Sequence, residues 1–335
     1  MSNYNLAVTD VDDAGVLSAL VAEGDELDAL VSAMDDWSVP TPASGWTIAH
    51  QMAHLAWADA NALSALRTPD AFGAELKRAE AEGGGHADKA AAAGATLSRS
   101  ALLDEWRAGR AELAAALRDT SWDHAFPWSM SEVTPALMTP LRLMGTWAHG
   151  QDVFDAVGVT HPPTERLQHV ASLGVLGRAL SFAAVGLAAP AAPFRIELTT
   201  PDGRIWAWGP EDAAQRVEGG ANDFCLCVTR RRPWSETDLT ATGEDARKWL
   251  EVARVFRKPG PWPRTRTGAP ARAPLPPIPA ALRQPSGRGR RDQSRWSTRV
   301  SAPLRRRKRG WDAAGATAWY GGVPAVTRSV RTRTR

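Results

Sequence analysis

The chain has 335 residues, of which 44% are hydrophobic and 23% charged, a composition typical of globular proteins and a length sufficient for two domains. No apolar run approaches the roughly 18–20 residues that cross a bilayer, and the first residues lack the basic start and apolar segment of a signal peptide. We therefore expect a cytoplasmic protein with no membrane partner. The net charge of +3 is uneven, because residues 259–335 carry 18 basic and 2 acidic side chains, whereas residues 1–258 carry 22 and 35.

Four amphipathic helices are predicted in the first half of the chain, where apolar residues recur at helical spacing. They cover residues 12–35, 44–66, 98–118 and 139–158. Ser44 or Thr47 is the expected N-cap of the second helix. Residues 81–95, which are rich in alanine and glycine, are predicted to be a flexible connection. Four such helices with connections of uneven length favour a four-helix bundle.

The fourth predicted helix carries the most conspicuous histidine of the chain, His149. Thr139 and Pro140 are the expected N-cap and first-turn residues, and Gly158 is the expected C-terminal stop. Gly145 lies one turn before His149. A glycine inside a helix costs about 1 kcal/mol relative to alanine, so this position requires an explanation.

A smaller α+β region is predicted after the bundle. Residues 164–187 are expected to form a helix, and residues 194–200 and 204–208 flank the turn signal PDG as a β-hairpin. A further strand is predicted at 224–230 and a closing helix at 243–256.

The two cysteines of the chain, Cys225 and Cys227, fall in the predicted strand FCLCVTR. Residues two apart on a strand point to the same face but lie too far apart to form a disulfide easily. We interpret them as reduced thiols of a cytosolic protein that serve in packing.

The final 77 residues, 259–335, contain no Glu, Phe, Met, Asn or His. Arginine, proline and glycine dominate, and no apolar period persists, so we expect a disordered tail. One interpretation is a nucleic-acid-binding tail in which tryptophans stack on bases, namely Trp296, Trp311 and Trp319. The favoured alternative is the product of a frameshift in a gene of high GC content, since the residues that dominate this segment have GC-rich codons.

Three histidines on two predicted helices could form a metal site. His50 and His54 are one turn apart on the second helix, and antiparallel helices of a bundle can bring His54 and His149 together. Imidazole is a common ligand of zinc and similar ions. The alternative is that each is a hydrogen-bonded core residue. The remaining histidines are predicted to be solvated: His86, His124, His161 and His169.

Three other side chains accompany these histidines. Trp46 and Trp57 flank them and are expected to wall a cavity. The alternative is that these two aromatic residues serve only in packing the core. Arg142 could meet an anionic substrate or lie in an ion pair.

Four sequence stretches together resemble one known family. GWTIAHQMAHLAWAD (45–59) and RLMGTWAHGQDVFDAVG (142–158) resemble the metal-site helices of the DinB-like superfamily, in its mycothiol-dependent maleylpyruvate isomerase branch. DFCLCVTRRR (223–232) and ATGEDARKWLEVARVF (241–256) are similar to the small sterol-carrier-protein-like α/β unit that follows the bundle in that branch. More narrowly, an actinobacterial subfamily of metal-binding proteins, some of which are labelled for wyosine base formation, is resembled by four shorter motifs together: WTIAHQMAHLAW (46–57), TWAHGQDV (146–153), PEDAAQRV (210–217) and DFCLCVT (223–229). That tRNA chemistry belongs with iron–sulfur enzymes, and two cysteines cannot hold such a cluster.

The resemblance implies a fold and domain boundaries. We expect an α+β protein with a DinB-like bundle over 8–160, a small α+β domain over 161–258 and the tail over 259–335.

The resemblance also implies the ligands of a metal centre. His54 and His149 fall on the two histidine ligands of the family, and Gly145 falls on its glutamate ligand. Three outcomes are open: the site is dead, a water takes the vacant position, or another residue substitutes. The candidates for substitution are His50, Gln151 and Asp152.

The function implied is a metal- and thiol-dependent isomerase or S-transferase, with zinc as the expected metal and mycothiol as the expected thiol. The replacement of glutamate by Gly145 puts this activity in doubt. The alternative is a non-catalytic small-molecule binding or stress-response protein of the same fold. We expect a small-molecule substrate, a monomer or homodimer, and nucleic-acid contact only through the basic tail and without specificity.

Overall fold

The computed structural model describes residues 13–82, 85–128 and 131–255. The predicted tail, 259–335, lies outside them. The elements of the first part are α1 (Asp13–Ser32), α2 (Ile48–Arg67), α3 (Pro69–Ala81), α4 (His86–Gly94), α5 (Arg99–Asp119), β1 (Phe126–Trp128), β2 (Ser131–Val133) and α6 (Pro135–Val157).

Helices α1, α2, α5 and α6 form the predicted bundle. Each packs against two others, in the cyclic order α1, α6, α2, α5. Thr47 is the N-cap of α2, and Ser98 caps α5 by accepting a hydrogen bond from the backbone N–H of Ala101 at 3.2 Å. The helix-rich N-terminal region expected from the apolar spacing is therefore confirmed.

The start of α6 differs from the prediction. The helix begins at Pro135 after the N-cap Thr134, and Pro140 lies inside it. The pair Thr134–Pro135 gives the same start signal as Thr139–Pro140, five residues earlier. Thr139 instead donates its hydroxyl to the carbonyl of Pro135 at 2.8 Å. Gly158 ends the helix in the left-handed conformation, with φ 69°, as predicted.

The predicted flexible connection at 81–95 is wrong for its second half, which forms α4. Alanine has the highest helix propensity, and this short helix packs on α2. A Cβ at Gly94 would lie 2.7 Å from the Cβ of Ala53. The small residues that indicated a linker therefore allow close helix packing.

The second part of the chain contains α7 (Leu167–Leu176), α8 (Arg178–Ala183), β3 (Phe194–Thr199), β4 (Ile205–Trp208), β5 (Gln215–Gly220), α9 (Ala221–Val228), a 3₁₀ turn (Trp234–Glu236), β6 (Thr240–Thr242) and α10 (Glu244–Val252). The strand order is β4-β3-β5-β6, with β3 and β5 parallel and the other pairs antiparallel. The hairpin of β3 and β4 and the closing helix are confirmed. The single helix predicted over 164–187 is interrupted at Gly177.

The strand predicted at 224–230 is wrong, because most of it belongs to α9. Phe224 to Val228 are all buried, and a short continuous apolar run does not distinguish a buried strand from a buried helix. Cys225 and Cys227 are free and buried, as expected. Their thiols donate to the carbonyls of Leu167 at 3.5 Å and Leu250 at 3.7 Å, and burial raises the pKa of the Cys227 thiol to about 12.

Helix α6 contributes to two hydrophobic cores. Val153 and Phe154 pack with residues of α1, α2 and α5, whereas Met144, Trp147 and Ala148 pack with residues of the sheet, α7, α9 and α10. The structure is thus of mixed α+β class. Its likeness to a sterol-carrier unit and the predicted domain boundaries stay predictions. Among the described residues, no helix is long and apolar enough to cross a membrane.

Candidate metal centre

The structure brings His54 and His149 together, as the sequence predicted. His54 lies in the middle of α2 and His149 in α6, and their ring centroids are 4.4 Å apart. The Trp46 ring lies 5.3 Å from His54 and 6.0 Å from His149, and Trp57 lies 5.7 Å from His54. These two tryptophans wall the pair, and both histidines are partly buried.

Hydrogen bonds fix the orientation of His149. Gln51 donates through Nε2 to the hydroxyl of Thr41 at 2.9 Å, so its Oε1 faces His149. The Nδ1 of His149 donates to that oxygen at 2.6 Å, which leaves Nε2 with the lone pair. A ligating histidine is commonly held in this way by a carbonyl on its other nitrogen.

His54 differs from His149, because its buried Nδ1 has no hydrogen-bond partner among the residues that the structure describes. Burial lowers the pKa of His54 to about 4, assisted by the positive charges of Arg142 and Arg231. Burial also lowers the pKa of His149 well below its usual value, with further contributions from His54, Arg231 and Arg142. Both imidazoles are therefore neutral at neutral pH, the form that can ligate a metal.

The third position of the expected ligand set is filled differently. Gly145 is buried, and a Cβ built on it would lie 3.2 Å from Nη1, 3.7 Å from Cζ and 3.8 Å from Nη2 of Arg142. Arg142 also donates through Nε to Asp59 Oδ1 at 2.9 Å. A guanidinium therefore lies beside the position at which the expected glutamate ligand would stand. Two histidine donors fit a divalent metal, but the third donor and the local charge do not.

Each of the three candidate substitute ligands is already engaged in another hydrogen bond or ion pair. His50 Nδ1 accepts from the backbone N–H of Thr47 at 3.3 Å and closes the capping box of α2. Gln151 donates to Asp155 at 2.9 Å. Asp152 lies 4.0 Å from His149 Nδ1 but is bonded by Arg231 at 2.7 Å.

A second group of potential ligands is formed by Glu23, Glu26 and His161, whose donor atoms lie within 4.8 Å of one another. Arg166 binds both carboxylates, with its Nε 2.6 Å from Glu23 Oε2 and its Nη2 on Glu26. His161 bonds Glu23 at 3.1 Å and Gln151 at 3.2 Å. We call these four residues, Glu23, Glu26, His161 and Arg166, the Glu23 cluster. Because an arginine already compensates its carboxylates, we interpret it as an ion-pair network.

Sequence reasoning missed the Glu23 cluster. His161 was predicted to be solvated but is 6% exposed, and its ring stacks on Phe154 at 4.2 Å between centroids. His169 is also partly buried, and burial lowers its pKa to about 4. The partners Glu23 and His161 are 138 residues apart, and no local pattern links them.

The fold and the site together define a class of protein: a helical bundle with a two-histidine centre between two of its helices, followed by a small α+β region. Residues 20–154 match the family model of the mycothiol maleylpyruvate isomerase N-terminal domain. Residues 190–242 match a model described as wyosine base formation. Residues 20–154 therefore belong to the family of this N-terminal domain.

Relatives that match most of the chain place it in a family with uncharacterized mycobacterial proteins. Uncharacterized proteins from two strains of Mycobacterium tuberculosis are 45% identical over 250 residues, which is 74% of this chain and 97% of theirs. A crystal structure of the mycothiol-dependent maleylpyruvate isomerase is 19% identical and covers 69% of this chain and 93% of that chain, with a TM-score of 0.48.

Proposed function

We propose that the chain binds a divalent metal ion, zinc in the first instance, at His54 and His149 with low affinity. The observation that carries this proposal is the close approach of two neutral imidazoles, 4.4 Å apart, one of them oriented by Gln51. The membership of the N-terminal region in an isomerase domain family supports a metal centre at this place in the bundle.

The reaction we propose is a thiol-dependent isomerisation or S-transfer, with mycothiol as the thiol. A bound divalent ion would lower the pKa of a thiol and favour the thiolate at neutral pH. The residues of this chain would exclude water through Trp46 and Trp57 and hold His149 in one tautomer through Gln51. We also propose a cytoplasmic location, because thiols are kept reduced in the cytoplasm.

The low affinity follows from the residues around Gly145. The glycine supplies no donor, and the positive charges of Arg142 and Arg231 act on both histidines. Loss of an outer-sphere partner alone commonly lowers metal affinity or activity about 10–100-fold, and loss of a ligand should lower affinity further. Non-catalytic binding of a small molecule is therefore the second candidate function, favoured by the presence of a buried arginine where a metal ligand is expected.

The test is the zinc affinity of the full chain, measured by calorimetry and by metal content after dialysis. We expect weak binding in the wild type and none in His149→Ala. Gly145→Glu should raise affinity at least about 10-fold, since it supplies a carboxylate donor. Gly109→Glu is the matched control, because it adds the same charge on α5 at a glycine with no atom within 4 Å of its Cβ position.

Three results separate the candidates. Tight binding that survives His149→Ala would contradict the proposed centre. Binding in Gly145→Glu alone would mean that the wild-type chain has lost its metal and would favour the non-catalytic candidate. Wild-type metal binding together with consumption of mycothiol in the presence of an electrophile would support the enzyme.

A further inference from the structure

A cavity of about 240 Å³ lies between α1 and α5, and neither histidine of the candidate metal centre lines it. Asp59 of α2 and Thr146 of α6 also line it, and because both are 3% exposed they mark its buried end. We call it the α1–α5 cavity; its lining further includes Leu20, Trp106, Arg110, Ala111, Leu113 and Ala114. We propose that the α1–α5 cavity binds a small neutral alcohol, whose hydroxyl group accepts a hydrogen bond from Trp106 and donates one to Asp59.

The first argument is an unused hydrogen-bond donor in the cavity wall. Trp106 is 1% exposed, and its Nε1 has no hydrogen-bond partner among the described residues. A buried indole N–H usually has an acceptor, because a buried donor without one is costly. The guanidinium of Arg110 lies 4.9 Å from the centre of the Trp106 ring, and its buried Nε also lacks a partner in the described part of the chain. Two N–H groups of the wall therefore remain for a ligand oxygen.

The second argument is the carboxylate at the buried end. Asp59 accepts from Arg142 Nε on Oδ1 at 2.9 Å, which leaves Oδ2 to accept from a ligand. Burial raises the pKa of Asp59, whereas the neighbouring Arg142 and Trp106 act to lower it. Trp106 therefore faces this carboxylate, although its Nε1 makes no hydrogen bond with it. A hydroxyl group between the two would accept from the indole and donate to the carboxylate, and so satisfy both.

The third argument is the balance of charge, which favours a neutral ligand. Arg110 pairs with Asp25 at 2.8 Å and with Asp28 at 3.0 Å. At the buried end, Arg142 pairs with Asp59 at 2.9 Å. A carboxylate ligand would be repelled by Asp59, and an ammonium ligand would offer no lone pair to the indole N–H. A hydroxyl group is neutral and combines a donor and an acceptor on one atom.

The size and the walls of the cavity define the body of the alcohol. Leu20, Leu113 and the ring of Trp106 supply apolar surface, which favours a hydrocarbon body over a second polar group. An apolar cavity of about 150 Å³ holds benzene, so this larger volume has room for a six-membered ring with one substituent. Ala111 lines the cavity and is exposed, so the cavity opens to solvent there. A ring alcohol such as cyclohexanol matches these features.

The test compares three ligands with the same ring and different polar groups: cyclohexanol, cyclohexanone and cyclohexylammonium. Each is titrated into the full chain with a chelator present, so that the result is independent of the proposed metal centre. Binding is followed by NMR of the indole N–H signal of Trp106, identified with Trp106→Phe. We expect saturable binding of cyclohexanol that shifts this signal. Cyclohexanone should bind about 5-fold or more weakly, because it cannot donate to Asp59, and cyclohexylammonium more weakly still.

Two variants with a matched control locate the site. Ala114→Leu extends a buried side chain of the wall into the cavity and should abolish binding of cyclohexanol. Ala111→Leu narrows the exposed opening and should weaken binding about 5-fold or more; it decides the result if Ala114→Leu fails to fold. Ala108→Leu, at an exposed residue of α5 outside the lining, should leave binding unchanged.

Three results would overturn the proposal. The first is the absence of saturable cyclohexanol binding in the wild type, which would leave a cavity that holds water alone. The second is unchanged binding in the lining variants, which would place the alcohol elsewhere. The third is cyclohexanone binding as tight as that of cyclohexanol, which would show that no hydrogen bond is donated to Asp59.

Discussion

The two histidine-containing clusters of the bundle differ in how fully their polar atoms are bonded. In the Glu23 cluster, both ring nitrogens of His161 and both carboxylates have partners. In the His54–His149 pair, His54 Nδ1 and the nearby Arg142 Nη2 have none among the described residues. A cluster whose polar atoms are all hydrogen-bonded to one another stabilises the fold. A cluster with buried polar atoms that lack hydrogen-bond partners is suited to bind a ligand. Proximity of histidine and carboxylate groups alone would have favoured the Glu23 cluster as the metal site.

The largest expected effect is the loss of stability when the Glu23 cluster is broken. Glu23→Ala leaves Arg166 and His161 without their shared buried carboxylate and should lower the free energy of unfolding by about 3–5 kcal/mol. Urea denaturation measures this loss. Glu26→Ala is the control, because the Glu26 side chain is 23% exposed, and it should cost about 1 kcal/mol or less. Equal losses in the two variants would contradict the ion-pair interpretation.

A smaller effect is expected from pH. Burial alone would raise the pKa of Glu23, but the hydrogen bond and charge of His161 and the charge of Arg166 together lower it below the ordinary value of 4.5. The unfolded chain therefore takes up this proton first as pH falls, so the contribution of Glu23 to stability is present above about pH 4.5 and declines below it. Urea unfolding of wild type and Glu23→Gln, from pH 7 to 3.5, should give a difference that shrinks as pH falls. A difference that is constant or grows would show that the carboxylate charge does not stabilise the cluster.

The smallest effect on stability is expected at the His54–His149 pair. His54→Gln breaks no hydrogen bond of Nδ1 and should change the free energy of unfolding by less than about 1 kcal/mol. His161→Gln, the same substitution in the Glu23 cluster, breaks two hydrogen bonds and a ring stack and should cost about 1–3 kcal/mol. Thermal denaturation of the metal-free variants side by side tests this. If His54→Gln is the more destabilising of the two, the distinction between a structural and a ligand-binding cluster fails.

Much of the bundle could be predicted from the sequence because its signals are local. Apolar spacing, the cap at Thr47 and the stop at Gly158 identify helices within a few residues, and two helices of a bundle then place His54 near His149. The contact between Arg142 and Gly145 also had a local signal, since residues three apart share a helix face. This contact could have been predicted by asking which side chain fills the space beside a buried glycine.

The failures of prediction come from contacts distant in sequence and from ambiguous local patterns. The burial of His161 depends on Glu23, 138 residues away, and on the ring of Phe154. Helix α9 could not be distinguished from a strand, because Phe224 to Val228 are all buried and their apolar run shows no helical period. Helix α4 was missed because small residues indicate both a flexible linker and a tight helix contact.

Helix α6, which carries His149 and Gly145, lies between two hydrophobic cores. Of its 23 residues, 16 are buried, compared with 6 of 21 in α5. Such a helix has almost no face on which substitutions can accumulate without consequence, and a packing change in the sheet region acts on Met144, Trp147 and Ala148, which precede His149. In a saturation library of this chain, α6 should therefore be the least permissive of the bundle helices, and neutral variation should concentrate on the outer face of α5.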